Sequence, residues 1–299
     1  MHEGSDWGGL MSASLSRYEI FLKVAELGNI TLAAESLNYT QSGVSHAVAA
    51  VEREASCLLF HRSKTGVTLT DSGTRLIPLM QQLVSRQHAL DQAMDALSSR
   101  VAGTLRLGSF TSFTATHIPG IIKKFTSIYP DVNEELVNAA YRDIEKHILD
   151  GRLDCGFMTG AESTALTFIP LMSDEMLAIS APGHPLAGKS HLALAELSDY
   201  ELISQFKGSD HDVKQIFKRA GIRPQTKYIL DDDISVMGMV AQSDAIALIP
   251  EMMLRTAGFD LISRPLEPRQ YRTVGLAAPP LSETAYLVRT FAEFCKSYF

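Results

Sequence analysis

The chain opens with three helical periods in close succession. Leu15, Tyr18, Phe21, Leu22, Val24 and Ala25 share one face of a helix that should end at Gly28. In a second, short helix Leu32, Ala33 and Leu37 fit one buried face, and small Ala34 allows a close approach. Asn38-Tyr39 is turn chemistry, because Asn tolerates left-handed backbone, and Thr40 suits the N-cap of a third helix. There Val44, Ala47, Val48 and Val51 recur at i, i+3, i+4 and i+7 as a buried stripe. Gln41, Ser42, Ser45, His46 and Ala49 fall on the opposite face, which is short, hydrogen-bonding and uncharged.

Two β-rich pieces follow, Leu58 to Phe60 and Val67 to Leu69, around the turn Arg62-Ser63-Lys64-Thr65-Gly66. They predict a hairpin with a basic tip. Thr70-Asp71-Ser72 then caps a long helix in which Leu76, Leu83, Leu90 and Leu97 repeat every seventh residue, with Met80, Gln87 and Met94 four places after the first three. That is an a/d seam with one polar member, the pattern of a helix that pairs with a second copy, although a helix packed on its own domain shows a similar stripe. Pro78 should kink it or open one hydrogen bond.

From Gly103 strand-like and helical runs alternate: Thr104 to Gly108, a helix to Tyr129, Glu134 to Asn138, a helix to Leu149, and Asp154 to Met158. This predicts a βαβαβ unit on a parallel sheet. A second set runs through Met176 to Ser180, Leu202 to Gln205, a helix near Asp210 to Arg219, Lys227 to Leu230, a helix from Asp233, and Ala245 to Ile249. The tail, Arg272 to Ala277 with a helix from Glu283 to Ser297, reads as a return to the first unit. The expected domains are a disordered extension (1–13), a winged helix-turn-helix (14–71), a dimerising linker helix (72–101) and an α/β effector-binding domain (102–299). The last divides into lobe I (102–162 and 267–299) and lobe II (163–266) around a hinged cleft.

Composition narrows what such a chain can do. At 299 residues it holds two or three compact units. No apolar run nears the roughly 18 residues of a membrane span, and the first residues lack the basic start and apolar core of a secretory signal. Three well-separated cysteines, Cys57, Cys155 and Cys295, argue for a reducing cytoplasm and no disulfide framework. The formal net charge of −7 speaks against coating nucleic acid by charge alone, so a DNA reader of this composition needs local basic groups and paired subunits.

The outward face of the third helix is the arrangement that major-groove reading requires. Gln bonds adenine N6 and N7 together, Ser donates or accepts, and small residues let backbone approach. A surface helix hairpin has the same spacing. The wider run decides: TLAAESLNYTQSGVSHAVAAVE, then LLFHR, TLTDSG, GTLRLG and YPDV closely resemble LysR-type transcriptional regulators, over residues 15–299. The resemblance implies a winged helix-turn-helix, a dimerising linker helix and a two-lobed effector domain like periplasmic binding proteins. Its implied partners are double-stranded DNA, a small-molecule effector, a second copy through the linker helix, a homotetramer beyond that, and RNA polymerase. No cofactor is implied. Carried over by position, Thr31 caps the first helix of the motif and meets the DNA backbone. Gln41, Ser42, Ser45 and His46 face the groove, and Arg62 is the wing's basic residue, with Lys64 beside it and Thr40 as cap. Ala49 and Ala50 stand where the family often has Arg or Lys, and Ala55-Ser56 replace the usual Leu-Gly, so a C-cap glycine is missing.

For the effector, Ser109, Phe110, Thr111 and Ser112 lie between the first strand of lobe I and a helix. Ligands of open α/β sheets sit beyond the carboxyl ends of strands, and a helix N-terminus favours an anion, so an anionic effector is expected. By the same topology Met158-Thr159-Gly160 and Ser204-Gln205-Phe206 should face the cleft, with Phe110 and Phe206 meeting an apolar part of the ligand. Asp231-Asp232-Asp233 resembles a metal cluster, but its place before a helix makes it a dipole-facing cap. His184 is expected in a surface turn, and Cys155 as a buried small hydrophobe. There is no phosphate loop, G-x-S-x-G elbow or H-E-x-x-H, so no enzyme chemistry is expected.

Overall fold

The computed structural model describes residues 7–63, 65–97, 101–161, 163–205, 211–255, 258–282 and 284–299. The chain divides into two compact units, Met1–Ser98 with Asp150–Arg152 and Ser99–Leu149 with Leu153–Phe299.

The first unit contains α1 (Trp7–Leu27), α2 (Ile30–Ser36), α3 (Gln41–Glu54), β1 (Phe60–Ser63), β2 (Gly66–Leu69) and α4 (Asp71–Leu97). Residues 1–6 of the expected disordered extension, and the side chain of Leu15, lie outside the described residues. From Trp7 onward the extension is helical instead, because lengthening a nucleated helix adds one hydrogen bond per residue fixed. Phe21, Val24, Ala33, Val44, Val48, Val51 and Leu59 form the core, with Phe21 and Phe60 rings 4.6 Å apart. Leu32 is 50% exposed and turns outward; Ala33 and Ala34 bury the face that the sequence assigned partly to it. Two alanines let α2 lie closer to α1 and α3 than a leucine would.

Gly28 ends α1 in left-handed backbone (φ 60°), and its carbonyl accepts from Val67 N at 2.8 Å. A Cβ on Gly66 would sit 2.4 Å from that same carbonyl oxygen, so the hairpin can dock here only with glycine. The wing is antiparallel, Phe60 opposite Leu69 and Ser63 opposite Gly66. At the far end of α3 the missing glycine is replaced by Ser56, held at φ 54°. Ser56 N bonds the Arg53 carbonyl and Cys57 N the Glu52 carbonyl, which is a Schellman closure made with the wrong residue. Ser56→Gly should therefore raise stability by about 1 kcal/mol in urea unfolding, with DNA binding unchanged.

The second unit holds β3 (Gly103–Ser109), α5 (Thr111–Thr116), α6 (Ile118–Ile128), β4 (Val132–Asn138), α7 (Tyr141–Leu149), β5 (Cys155–Met158) and β6 (Thr167–Ser180). After these come β7 (Leu192–Ala193), β8 (Glu201–Gln205), α8 (His211–Ala220), β9 (Gln225–Leu230), α9 (Asp233–Ala241), β10 (Ala247–Pro250), α10 (Glu251–Leu254), β11 (Ile262–Ala278) and α11 (Tyr286–Tyr298). The main sheet runs β10-β6-β11-β5-β3-β4, and β8 pairs with β9 apart from it. As expected β3 pairs parallel with β4 and β5, but β11 pairs antiparallel with both β5 and β6, so the sheet is mixed.

The expected strands at Met176 and Arg272 prove to be the C-terminal parts of two long ones. β6 and β11 run side by side through both lobes, from Thr167 opposite Ala278 to Ser180 opposite Ile262. Pro170 and Pro265 obscured them, since proline within a run argues against a strand. Pro170 sits at one register shift, opposite Gly275, and Pro265 borders the other. At such irregularities a missing N–H breaks no ladder. A Cβ on Gly275 would fall 2.3 Å from the Ile169 carbonyl, which fixes the residue there. Lobe I packs Leu107, Phe113, Ile121, Phe157 and Phe291 around its sheet; lobe II packs Leu197, Leu202, Ile216 and Leu248.

Candidate functional site

In the first unit the turn between α2 and α3 works as the sequence suggests. Asn38 is left-handed (φ 56°), and Thr40 caps α3 by accepting from Gly43 N at 3.1 Å. The Thr40 and Ser42 hydroxyls lie 3.2 Å apart. Gln41, Ser42 and His46 are exposed and Ser45 half-exposed, while Val44, Ala47, Val48 and Val51 are buried, so the proposed reading face is free. Thr31, expected as the cap of α2, is an exposed residue of its first turn. The cap is Asn29, whose side-chain oxygen accepts from Thr31 N at 2.8 Å and Leu32 N at 3.2 Å. Asn outranks Thr as an N-cap, and its extended backbone starts the helix two residues earlier.

Glu52 was not anticipated. It is buried on α3 and accepts from both Leu59 N (2.9 Å) and Phe60 N (3.1 Å), so one carboxylate ties the reading helix to the root of the wing. Its other oxygen lies 3.7 Å from Arg62, whose guanidinium stays about half exposed beside the wing. Lys64 lies outside the described residues.

In the second unit a cavity of about 220 Å³ opens between the lobes. Lobe I contributes Phe110, Thr111 and Ser112 after β3 and Asn138 to Tyr141 after β4; lobe II contributes Gln205, Asp212, Val213, Asp233, Leu248 and Pro250. Met176 and Arg272, from the paired long strands, close the back. Of the expected contacts Phe110, Thr111 and Ser112 line the cavity. Ser109 does not: it is fully buried at the end of β3, and its hydroxyl has no hydrogen-bond partner. Strand alternation turns it inward where Phe110 begins to turn out. Thr159 touches the site indirectly through Asp212, and neither Gly160 nor Ser204 is a lining residue. The neighbouring Gln205 takes the place given to Ser204, again by alternation. Phe206 lies outside the described residues.

The charge centre was missed altogether. Arg272 is 7% exposed and donates to Asp174 Oδ2 from Nε (2.9 Å) and Nη2 (2.7 Å), to Ser112 Oγ (3.1 Å) and to Tyr141 Oη (3.0 Å). Its guanidinium also lies 5.1 Å from the centre of the Phe110 ring. Tyr141 in turn donates to Asp212 Oδ2 (3.2 Å), and Thr159 donates to Asp212 Oδ1 (2.9 Å). Burial pushes the Tyr141 hydroxyl well above its ordinary range, so it stays a donor. Asp212 thus belongs to lobe II and is held by two residues of lobe I. Asp233 opens α9, and burial raises its carboxyl to about 6, against the lowering influence of Arg272. The cap of α9 is Asp232, which accepts from Ser235 N at 2.8 Å. His184, expected at the surface, is buried because Nδ1 caps the turn after it, accepting from Leu186 N at 3.0 Å. One signal for the missed pair was present: Arg272 and Asp174 are opposite charges inside two apolar β-rich runs.

A family model for the bacterial regulatory helix-turn-helix proteins of the LysR family matches residues 15–74, and one for the LysR substrate binding domain matches residues 98–299. The chain belongs to the LysR family of transcriptional regulators. This LysR regulator is 26% identical over 291 residues to the uncharacterized HTH-type transcriptional regulator YvbU of Bacillus subtilis, covering 96% of this chain and 99% of that one. In fold it is similar to full-length OxyR C199D from Pseudomonas aeruginosa (TM-score 0.74, 19% identity, 94% of each chain). It is also similar to full-length CbnR in complex with its target DNA (TM-score 0.67, 17% identity, 95% of this chain and 99% of that one). The regulator therefore combines a DNA-binding helix-turn-helix with an effector-binding α/β domain. No helix among its described residues is long and apolar enough to cross a membrane.

Proposed function

We propose that this regulator reads operator DNA with Gln41, Ser42, Ser45 and His46 of α3, steadies the wing on phosphates through Arg62, and binds its effector in the cavity between the lobes. The free reading face above a buried Val44–Val51 stripe carries the first part. The second rests on a cavity walled by both lobes and by the two strands that join them. A dimer formed along α4, and a tetramer beyond it, would present two reading helices to two half-sites in the cytoplasm, where RNA polymerase would meet it. On this reading the protein regulates and catalyses nothing.

Asp212 supplies a way for the effector to be felt. Its contacts to Tyr141 and Thr159 hold the lobes in one arrangement, and a ligand that competes for Asp212 shifts the population toward another. Retardation of DNA from upstream of the regulator's own gene tests the reading face. Gln41→Ala with Ser45→Ala should weaken the specific shift by about 2–5 kcal/mol at low salt while leaving light scattering unchanged. An unaltered shift in the double variant would remove α3 from groove reading.

A further inference from the structure

We propose that the effector is a small organic cation, an amine or guanidine with a compact apolar body, held by Asp233 and Asp212. The proposal rests on the cavity between the lobes being the effector site, and it departs from the anion that the sequence suggests.

The cationic place where an anion would sit is already filled by one of the protein's own carboxylates. Arg272 is the one cation among the described lining residues, and Asp174 occupies it with two hydrogen bonds. Ser112, a hydroxyl expected to meet the effector, is taken by the same guanidinium. The N-terminal turns of α8 and α9 face the cavity with Asp212 and Asp233, so their dipoles meet a resident negative charge. Among the described residues around the cavity, the one guanidinium of Arg272 thus faces three carboxylates, Asp174, Asp212 and Asp233.

Asp212 has partial partners in Tyr141, Thr159 and, at 3.6 Å, Arg272. Asp233 is different: its Oδ1 is buried without any hydrogen-bond partner. A buried carboxylate oxygen left unpaired costs free energy that a ligand's N–H recovers. Among the described residues, the charged groups that bear on Asp233 are Arg272 from β11, Asp212 from α8 and Asp232 at the cap of α9, two carboxylates against one guanidinium. Five wall residues (Phe110, Met176, Val213, Leu248, Pro250) give an apolar body somewhere to pack, and Thr111, Asn138 and Gln205 add neutral polar groups. A cavity of about 220 Å³ is somewhat larger than one that holds benzene, so the body should have roughly six to ten non-hydrogen atoms.

Three molecules of one frame and different charge make the test: benzylamine, benzyl alcohol and benzoate, with 1,4-diaminobutane as a second amine. Each is titrated calorimetrically into the full-length protein. The amines should bind, benzyl alcohol more weakly, and benzoate not at all in the millimolar range. Asp233→Asn, which keeps the shape and removes the charge, should lower benzylamine affinity at least tenfold and leave benzyl alcohol unchanged. Because the free carboxyl titrates at about 6, benzylamine binding should tighten as pH rises and level off above that value, with about a tenfold loss at one pH unit below it. Benzoate binding more tightly than benzylamine, or Asp233→Asn failing to change the amine-to-alcohol ratio, overturns the charge assignment while the cavity reading stands. If none of the four binds, the cavity reading fails and this proposal with it.

Discussion

Arg272→Met should be the most destabilising single substitution in the effector domain, costing about 3–5 kcal/mol. Methionine fills similar space, so packing loss is small and the effect is electrostatic. It would strand Asp174, 5% exposed, without the two guanidinium bonds and with the Met252 N–H donating to it at 3.1 Å. It would also leave Tyr141 and Ser112 without the donor they accept from. For a domain of this size the change should lower the melting temperature by roughly 6–20 °C in calorimetry. Pairing it with Asp174→Leu removes the stranded charge, and the double variant should recover most of that loss, because an apolar pair of similar volume often matches a buried ion pair. A single variant that melts within a degree of wild type would mean that Asp174 finds another partner. The double variant separates stability from function: it should fold, yet lose the guanidinium that orients Tyr141 toward Asp212.

What the sequence reveals of this regulator depends on how far apart the cooperating residues lie. Asn38, Thr40 and the Val44–Val51 stripe act within a turn or two, and periodicity with turn chemistry places them correctly. The alternation that gives the α/β lobes is local in the same sense. The effector cavity is not. Arg272 meets Asp174 from 98 positions away, and Asp212 meets Tyr141 and Thr159 from 71 and 53. Nothing in one segment marks these pairings; only the antiparallel pairing of β6 and β11 brings them together. Even within a correctly placed strand end, a shift of one residue changes the face, which is why Ser109 is buried and Gln205 lines the wall. Glu52 illustrates the same limit at shorter range. A glutamate in the last turns of a helix looks like solvent-facing surface until the wing folds back and offers it two backbone N–H groups.

Leu83→Glu with Leu90→Glu should convert the regulator to a monomer and cut its affinity for operator DNA by about 10²–10⁴-fold. The row on α4 is only partly the seam that its spacing suggests. Leu76 and Met80 turn into the core of the winged unit, and the side chain of Leu97 lies outside the described residues. Of its apolar members Leu83, Leu90 and Met94 remain, 49%, 52% and 52% exposed, and Leu79 from outside the row joins them at 60%. Four large apolar side chains along one helix, free of their own domain, are what a second copy of the same helix would cover. α4 runs from Asp71 to Leu97 with Pro78 inside it, where the ring nitrogen has no N–H to donate to the preceding turn. The net charge of −7 makes pairing matter more here than in a basic protein: one reading helix gains little from charge, and a second engaged on the same duplex supplies avidity instead. Because Leu83 and Leu90 are exposed, glutamates there should leave circular dichroism and benzylamine binding intact, whereas light scattering falls to the monomer mass. A dimer that persists would place the contact elsewhere. A monomer that still binds operator at wild-type affinity would show that a single α3 carries recognition alone, which a face of one glutamine, two serines and one histidine has too few contacts to support.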